Sequence, residues 1–163
     1  MSRKGQAAME FLMTYGWAIL AAIIAIGVLA YFGVFNPSRL AGSAAVLNAP
    51  LNAKAFNIIN NDLTNCAGND CINIEITHNA GQSITISSAS ITLTSGGAAT
   101  CSDVTGLPIG WQSGTSQTLN FDCGGAGIFA AGDAVAGNVQ ITYTSGGSSL
   151  AQSSTGNVRG VSQ

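Results

Sequence analysis

The sequence predicts an α+β protein: one long hydrophobic N-terminal α-helix followed by a small antiparallel β-sandwich. Three observations carry that expectation. Residues 11–35 hold no charged side chain. Beyond residue 50 the apolar residues recur with a period of two, the signature of half-buried strands. The four cysteines, Cys66, Cys71, Cys101 and Cys123, all follow the hydrophobic segment, where an even number reads as disulfides of a secreted domain.

The uncharged stretch comes first. As a helix it would span about 37 Å at 1.5 Å per residue, enough to cross a bilayer core with some tilt. Arg3 and Lys4 precede it and mark the cytoplasmic side, which places the rest of the chain outside. Tyr15, Trp17, Tyr31 and Phe32 lie towards its two ends, as interface-anchoring aromatics do. Ala18 and Ala22 are one turn apart, as are Ala21 and Ala25, so small residues fall where a second helix can approach. An ordinary cleaved signal peptide has a shorter apolar region, of about 7–15 residues, although Ala41, Ser43 and Ala45 do supply small residues afterwards. Two other readings keep the helix: a plain tether, or a segment processed ahead of the helix. Glu10 separates them. A carboxylate costs about 2.5–3.5 kcal/mol at the bilayer centre and less near its interface, and a tether has no use for it.

Asn36-Pro37 is the first break, since the residue before proline is driven out of helical geometry. Asn is also a good N-cap and Pro a good first helical residue. The sequence therefore predicts a kinked linker or short second helix over residues 36–50, running from Pro37 to about Leu47 and stopping at Asn48-Ala49-Pro50.

The period then changes. Ile72, Ile74 and Ile76 alternate with Asn73, Glu75 and Thr77, and Val139, Ile141 and Tyr143 alternate with Gln140 and Thr142. Shorter versions are Phe56 with Ile58, Ile84 with Ile86, Ile91 with Leu93, and Leu119 with Phe121. Glycine-containing breaks separate them. Roughly six to eight strands are expected over residues 51–163, as an Ig-like sandwich, with a last strand available at Asn157–Gly160.

Charge narrows the function classes. Charged residues are 7% of the chain, against about a quarter in ordinary globular chains. After residue 39 only Lys54 and Arg159 oppose Asp62, Asp70, Glu75, Asp103, Asp122 and Asp133. No basic face exists to neutralise several phosphates, so nucleic acid is not an expected partner. Among the three cysteine pairings, Cys66–Cys71 with Cys101–Cys123 is favoured because each closes a local loop. A zinc site lacks its short cysteine pairs. His78, the one histidine, ends a strand and is expected to be satisfied there or exposed, not to act as a general base. Asn69, Asp70, Asp103, Asp122 and Asp133 are placed in loops; they could include calcium ligands, but the EF-hand pattern is absent and the acids among them are read as exposed turn residues. No phosphate-binding glycine motif occurs, and Asn36-Pro37-Ser38 fails as a glycosylation sequon through its proline. No enzyme activity, cofactor or metal is expected.

The run Arg3-Lys4-Gly5-Gln6-Ala7-Ala8-Met9-Glu10-Phe11-Leu12 resembles the class III signal peptide of archaeal type IV pilin-like proteins. The stretch Met13-Thr14-Tyr15-Gly16-Trp17-Ala18-Ile19-Leu20, ending at Val34-Phe35-Asn36-Pro37-Ser38-Arg39, is similar to members of the same group. Ala8 stands where that pattern often has Ser, and Thr14 where it often has Leu. The resemblance implies cleavage by a prepilin peptidase between Gly5 and Gln6, with Arg3 and Lys4 as leader residues. Residues 1–5 would be removed and 6–35 kept as the transmembrane and filament-core helix, ahead of an extracellular domain at 51–163. It further implies that Glu10, then the fifth residue, pairs with the α-amine of Gln6 on a neighbouring copy, with Ala18, Ala21, Ala22 and Ala25 at helix contacts. The expected partners are copies of itself, the peptidase, a pilus assembly platform with its ATPase machinery, and the membrane. The precursor would sit in the cell membrane and the mature chain in a surface filament serving adhesion or motility. The alternative is a membrane-tethered β-sandwich binding module, or a minor pilin or adhesin outside the bulk filament.

Overall fold

The computed structural model describes residues 3–31, 42–97 and 99–163, with 3–8 and 12 described by their backbone alone. The chain divides into two units, Met1–Leu40 and Ala41–Gln163. The first holds a single described helix, α1 (Arg3–Tyr31). Past Glu10 it contains neither charge nor proline and is rich in Ala and Leu, both strong helix formers, and in Ile. It begins ahead of Gln6, so the peptide expected to be cut lies within its first turns. The expected end near Phe35 and the Asn36-Pro37 break lie outside the described residues.

Among the described residues nine strands follow: β1 (Ala44–Leu47), β2 (Leu51–Asp62), β3 (Asn69–His78), β4 (Ile84–Ser95), β5 (Thr100–Asp103), β6 (Ile109–Trp111), β7 (Ser116–Asp122), β8 (Ala134–Ser145) and β9 (Ala151–Val161). Every pairing among them is antiparallel. The order is β1-β9-β8-β4-β5-β7-β3-β2, with β6 also on β4. Beyond β9 the chain runs alongside β2. The Gln163 N–H donates to the Ile58 carbonyl at 2.9 Å, and the Asn60 N–H donates to the Gln163 carbonyl at 3.1 Å.

The result is one large antiparallel sheet, curled into a nearly closed barrel. This corrects the expected Ig-like sandwich of two separate sheets. The physical reason is β5, which pairs with β4 on one side and β7 on the other and so joins what would be two layers. A second correction concerns residues 44–47, expected to lie within a kinked linker or short helix. They form β1 instead, paired with Gly156–Arg159 of β9, and a turn closed by the Leu51 N–H on the Asn48 carbonyl leads into β2.

The alternating residues supply the core. Ile72, Ile74 and Ile76 of β3, Leu119 and Phe121 of β7, and Val139, Ile141 and Tyr143 of β8 are all buried. A buried side chain of this size contributes about 1.5–3 kcal/mol of transfer free energy. On β4 the buried set changes phase, from Ile84 and Ile86 to Ala89, Ile91 and Leu93. The register against β8 slips between Ile86 and Ser88, so a β-bulge fuses what read as two short strands into one. Cys66–Cys71 and Cys101–Cys123 are the disulfides formed. The second ties β5 to the end of β7 beside the Ser102–Asp122 pairing, at the junction that keeps the sheet continuous.

Candidate functional site

Two places bear on function, one in each unit. In α1, Met13–Tyr31 is a run of 19 residues long and apolar enough to cross a membrane. At 1.5 Å per residue it extends about 28 Å, close to the bilayer hydrocarbon thickness. Arg3, Lys4, Gly5 and Gln6 occupy its first turns. Glu10 lies one turn beyond Gln6 and is exposed, and its carbonyl accepts the Thr14 hydroxyl at 2.8 Å. Ala18, Ala21, Ala22 and Ala25 are exposed along the helix, as are Tyr15, Trp17 and Tyr31. Phe32 lies outside the described residues.

In the β unit the acids turn out to be fastening points. Asn69 and Asp70 open β3, Asp103 closes β5 and Asp122 closes β7, so of the five residues assigned to loops only Asp133 lies in one. Asp70 is fully buried, not an exposed turn acid. Its Oδ1 accepts the Asn61 N–H at 3.0 Å and its Oδ2 the Phe129 N–H at 2.9 Å, pinning the segment after β7 onto the end of β2. Asp122 takes the Asn69 amide and the Gly124 N–H, and Asp103 takes the Thr105 hydroxyl and N–H. Asp133 accepts the Ala130 N–H. Among the described residues no three His, Cys, Asp or Glu gather as a metal site.

Asp62 caps the turn that carries Cys66. Burial pushes its carboxyl upward, but the Asn65 side-chain amide, the N–H groups of Asn65 and Thr64 and the Asn73 amide outweigh that and hold it below its ordinary value of 3.8. His78 is buried at the end of β3. Its ring stands edge-on to Trp111, with centroids 4.9 Å apart, and its Nε2 lies 3.2 Å from the Trp111 carbonyl. As the Nε2–H tautomer it donates there and holds β6 against the end of β3.

Sequence reasoning missed a trough of mixed polar and apolar lining on the outer face of β1, β9, β8 and β4. Asn48, Thr92, Asn138, Gln140, Thr155 and Asn157 line a cavity of about 490 Å³. A second of about 310 Å³ adjoins it through Val46, Asn138 and Asn157 and reaches Arg159. Of the lining residues on β8 and β9 only Gln140 was legible as the polar half of an alternation, because β9 shows no such period. Their convergence depends on which strands pair, which that alternation does not encode.

An apolar N-terminal helix ahead of a disulfide-bearing antiparallel β domain defines an architecture compatible with a pilin-like protein. The helix fits a membrane anchor or a signal segment, and the disulfides fit an extracellular domain. No family model matches the chain, and no curated protein gives a significant match.

Proposed function

We propose that the chain is a structural subunit of a type IV pilus-like surface filament. In this reading it enters the membrane as a precursor and is cut between Gly5 and Gln6 by a prepilin-type peptidase. It then assembles through α1. The observation that carries it is Glu10, the one acid on a helix that has no charge from residue 11 to its described end at Tyr31. Cleavage would create an α-amine at Gln6, four residues away. Residues so spaced share a helix face about 6 Å apart along the axis. A neighbour shifted axially by one turn would bring its Gln6 amine level with Glu10, and a second neighbour shifted the other way would bring its Glu10 level with the first copy's amine. The cost of an unpaired carboxylate in the bilayer gives that contact its driving force and sets the axial register.

Intact mass and terminal sequencing of protein from membranes and from sheared surface material test the processing step. A start at Gln6 is expected; a start at Met1 or beyond residue 40 overturns it. Glu10→Gln should leave insertion and processing unchanged while filament yield falls by about tenfold or more, the equivalent of 1.4 kcal/mol per contact. Normal filaments from that variant would remove the pairing from the account.

A further inference from the structure

α1 already runs from Arg3, so the bond between Gly5 and Gln6 lies inside a helix and not in an extended leader. In an α-helix each carbonyl accepts the N–H four residues on, which engages the Arg3, Lys4 and Gly5 carbonyls with Ala7, Ala8 and Met9. The Gly5 carbonyl carbon is the atom that hydrolysis must reach. Water adds to it, the bond to the Gln6 nitrogen breaks, and the products are a Gly5 carboxylate and a Gln6 amine. Extended peptides dock through the backbone groups that a helix has already paired. Over residues 3–8 the two forms also differ in reach: about 9 Å as helix, at 1.5 Å per residue, against about 20 Å extended, at 3.3 Å per residue.

The residues on the two sides of that bond are unequal as helix formers. Ahead of it stand Arg3 and Lys4, two basic residues in a first turn that holds no acid. Cations there oppose the helix macrodipole, whose positive end is the N-terminus. Gly5 follows, the poorest helix former after proline. Beyond the bond come Ala7, Ala8 and Met9, at or near the top of the same scale, and then the uncharged run from Phe11 to Tyr31. α1 is therefore weakest over Arg3–Gly5 and strengthens from Ala7 onward.

We infer that unwinding of the first turns of α1 controls cleavage, with Gly5 as the hinge at which the backbone leaves the helix. This rests on the processing proposed above and adds its regulation. The helical precursor is closed to the peptidase, which captures the form opened from Arg3 to Ala8. The weak segment lets opening start at the helix end and stop shortly past the bond, so the membrane-crossing part of α1 stays intact. Opening precedes the transition state, so whatever loosens the first turns raises kcat/KM in proportion to the opened fraction.

The test follows cleavage of the full-length precursor in membranes by a prepilin-type peptidase, read by intact mass. Substitutions at Ala7 and Ala8 leave Arg3, Lys4, Gly5, Gln6 and Glu10 in place. Ala8→Gly and Ala8→Val both lower helix propensity, yet one removes side-chain volume and the other adds it. Faster cleavage is expected for both, with kcat/KM up about fivefold for glycine and about twofold for valine, and Ala7→Gly close to Ala8→Gly. Hydrogen–deuterium exchange of the Ala7, Ala8 and Met9 amides in the uncut precursor should quicken in the same order. Glycine and valine moving the rate in opposite directions would show a fit of side chain to peptidase and overturn the inference. Cutting between Gly5 and Gln6 at rates indifferent to helix propensity, or slower for both variants, overturns it too and leaves the processing reading standing. Absence of any cut at that bond overturns the processing reading itself, and this inference with it.

Discussion

Replacing Asp70 by alanine removes the acceptor of two backbone N–H groups at once. The carboxylate is fully buried, and its bonds from Asn61 and Phe129, at 3.0 and 2.9 Å, are two of the ties that hold the segment after β7 against β2, beside the Asn60 amide on the Phe129 carbonyl. Hydrogen bonds to a charged group are each worth about 1.5–3 kcal/mol, so losing both costs about 3–6 kcal/mol. That is a large share of the roughly 5–15 kcal/mol that stabilises a typical domain. At about 4 °C per kcal/mol for a domain of this size, the midpoint should fall by about 12–24 °C. Asp70→Asn keeps one acceptor oxygen and turns an NH2 towards the other N–H, so its loss should fall between wild type and alanine. Thermal unfolding of the full-length protein in detergent, followed by the β-sheet circular dichroism signal, reads the change. Asp122→Ala is the comparator. Asp122 also takes two hydrogen bonds, at 2.9 and 2.7 Å, but it is partly exposed, so water replaces what is lost. The reasoning is refuted if Asp70→Ala costs no more than Asp122→Ala.

Gly156→Ala should destabilise the domain by about 1–3 kcal/mol, because its new methyl would meet the Val46 carbonyl oxygen and Leu47 and push β1 off β9. Gly110→Ala, with no atom within 4 Å of the added carbon, should stay within about 0.5 kcal/mol of wild type in the same denaturant titration. Asp62 should impose an acid limb on stability. Its folded value lies below the unfolded one, so its contribution is complete above the ordinary carboxylate range and disappears as pH falls through the folded value. Unfolding midpoints of wild type and Asp62→Asn, measured against pH, should differ most near neutrality and converge below about pH 4. A constant gap would contradict the hydrogen-bond account.

Much of the β unit was legible because its inward residues are large. Ile72, Ile74 and Ile76 read as one buried face, and they are one. β9 was legible only at Asn157–Gly160, and the reason is on its inner side. There Ser154 bonds the Asn48 carbonyl at 2.7 Å, Gly156 gives way to β1, and Gly160 faces Phe56 and Ile58. Its neighbours fill the space that large side chains would otherwise take, so hydrophobic periodicity falls silent. β1 was misread for a related cause. Ala44-Ala45-Val46-Leu47 suits a helix by composition, and only pairing with β9 makes it a strand. Asp70 was expected at the surface because a carboxylate is rarely buried, and nothing local in the sequence announces partners nine and 59 residues away. For α1 the long uncharged run was legible at once, while the roles of Gly5, Gln6 and Glu10 rest on resemblance.

The pairing of Gln163 with β2 reaches beyond fold geometry. A curled sheet left open would present a row of unmatched N–H and carbonyl groups, the template on which identical chains stack into insoluble fibres. Here the residues after β9 lie along that border and occupy part of it. Copies crowded on a surface would then meet through their side chains, whose contacts dissolve and re-form, and not through shared backbone ladders that lock.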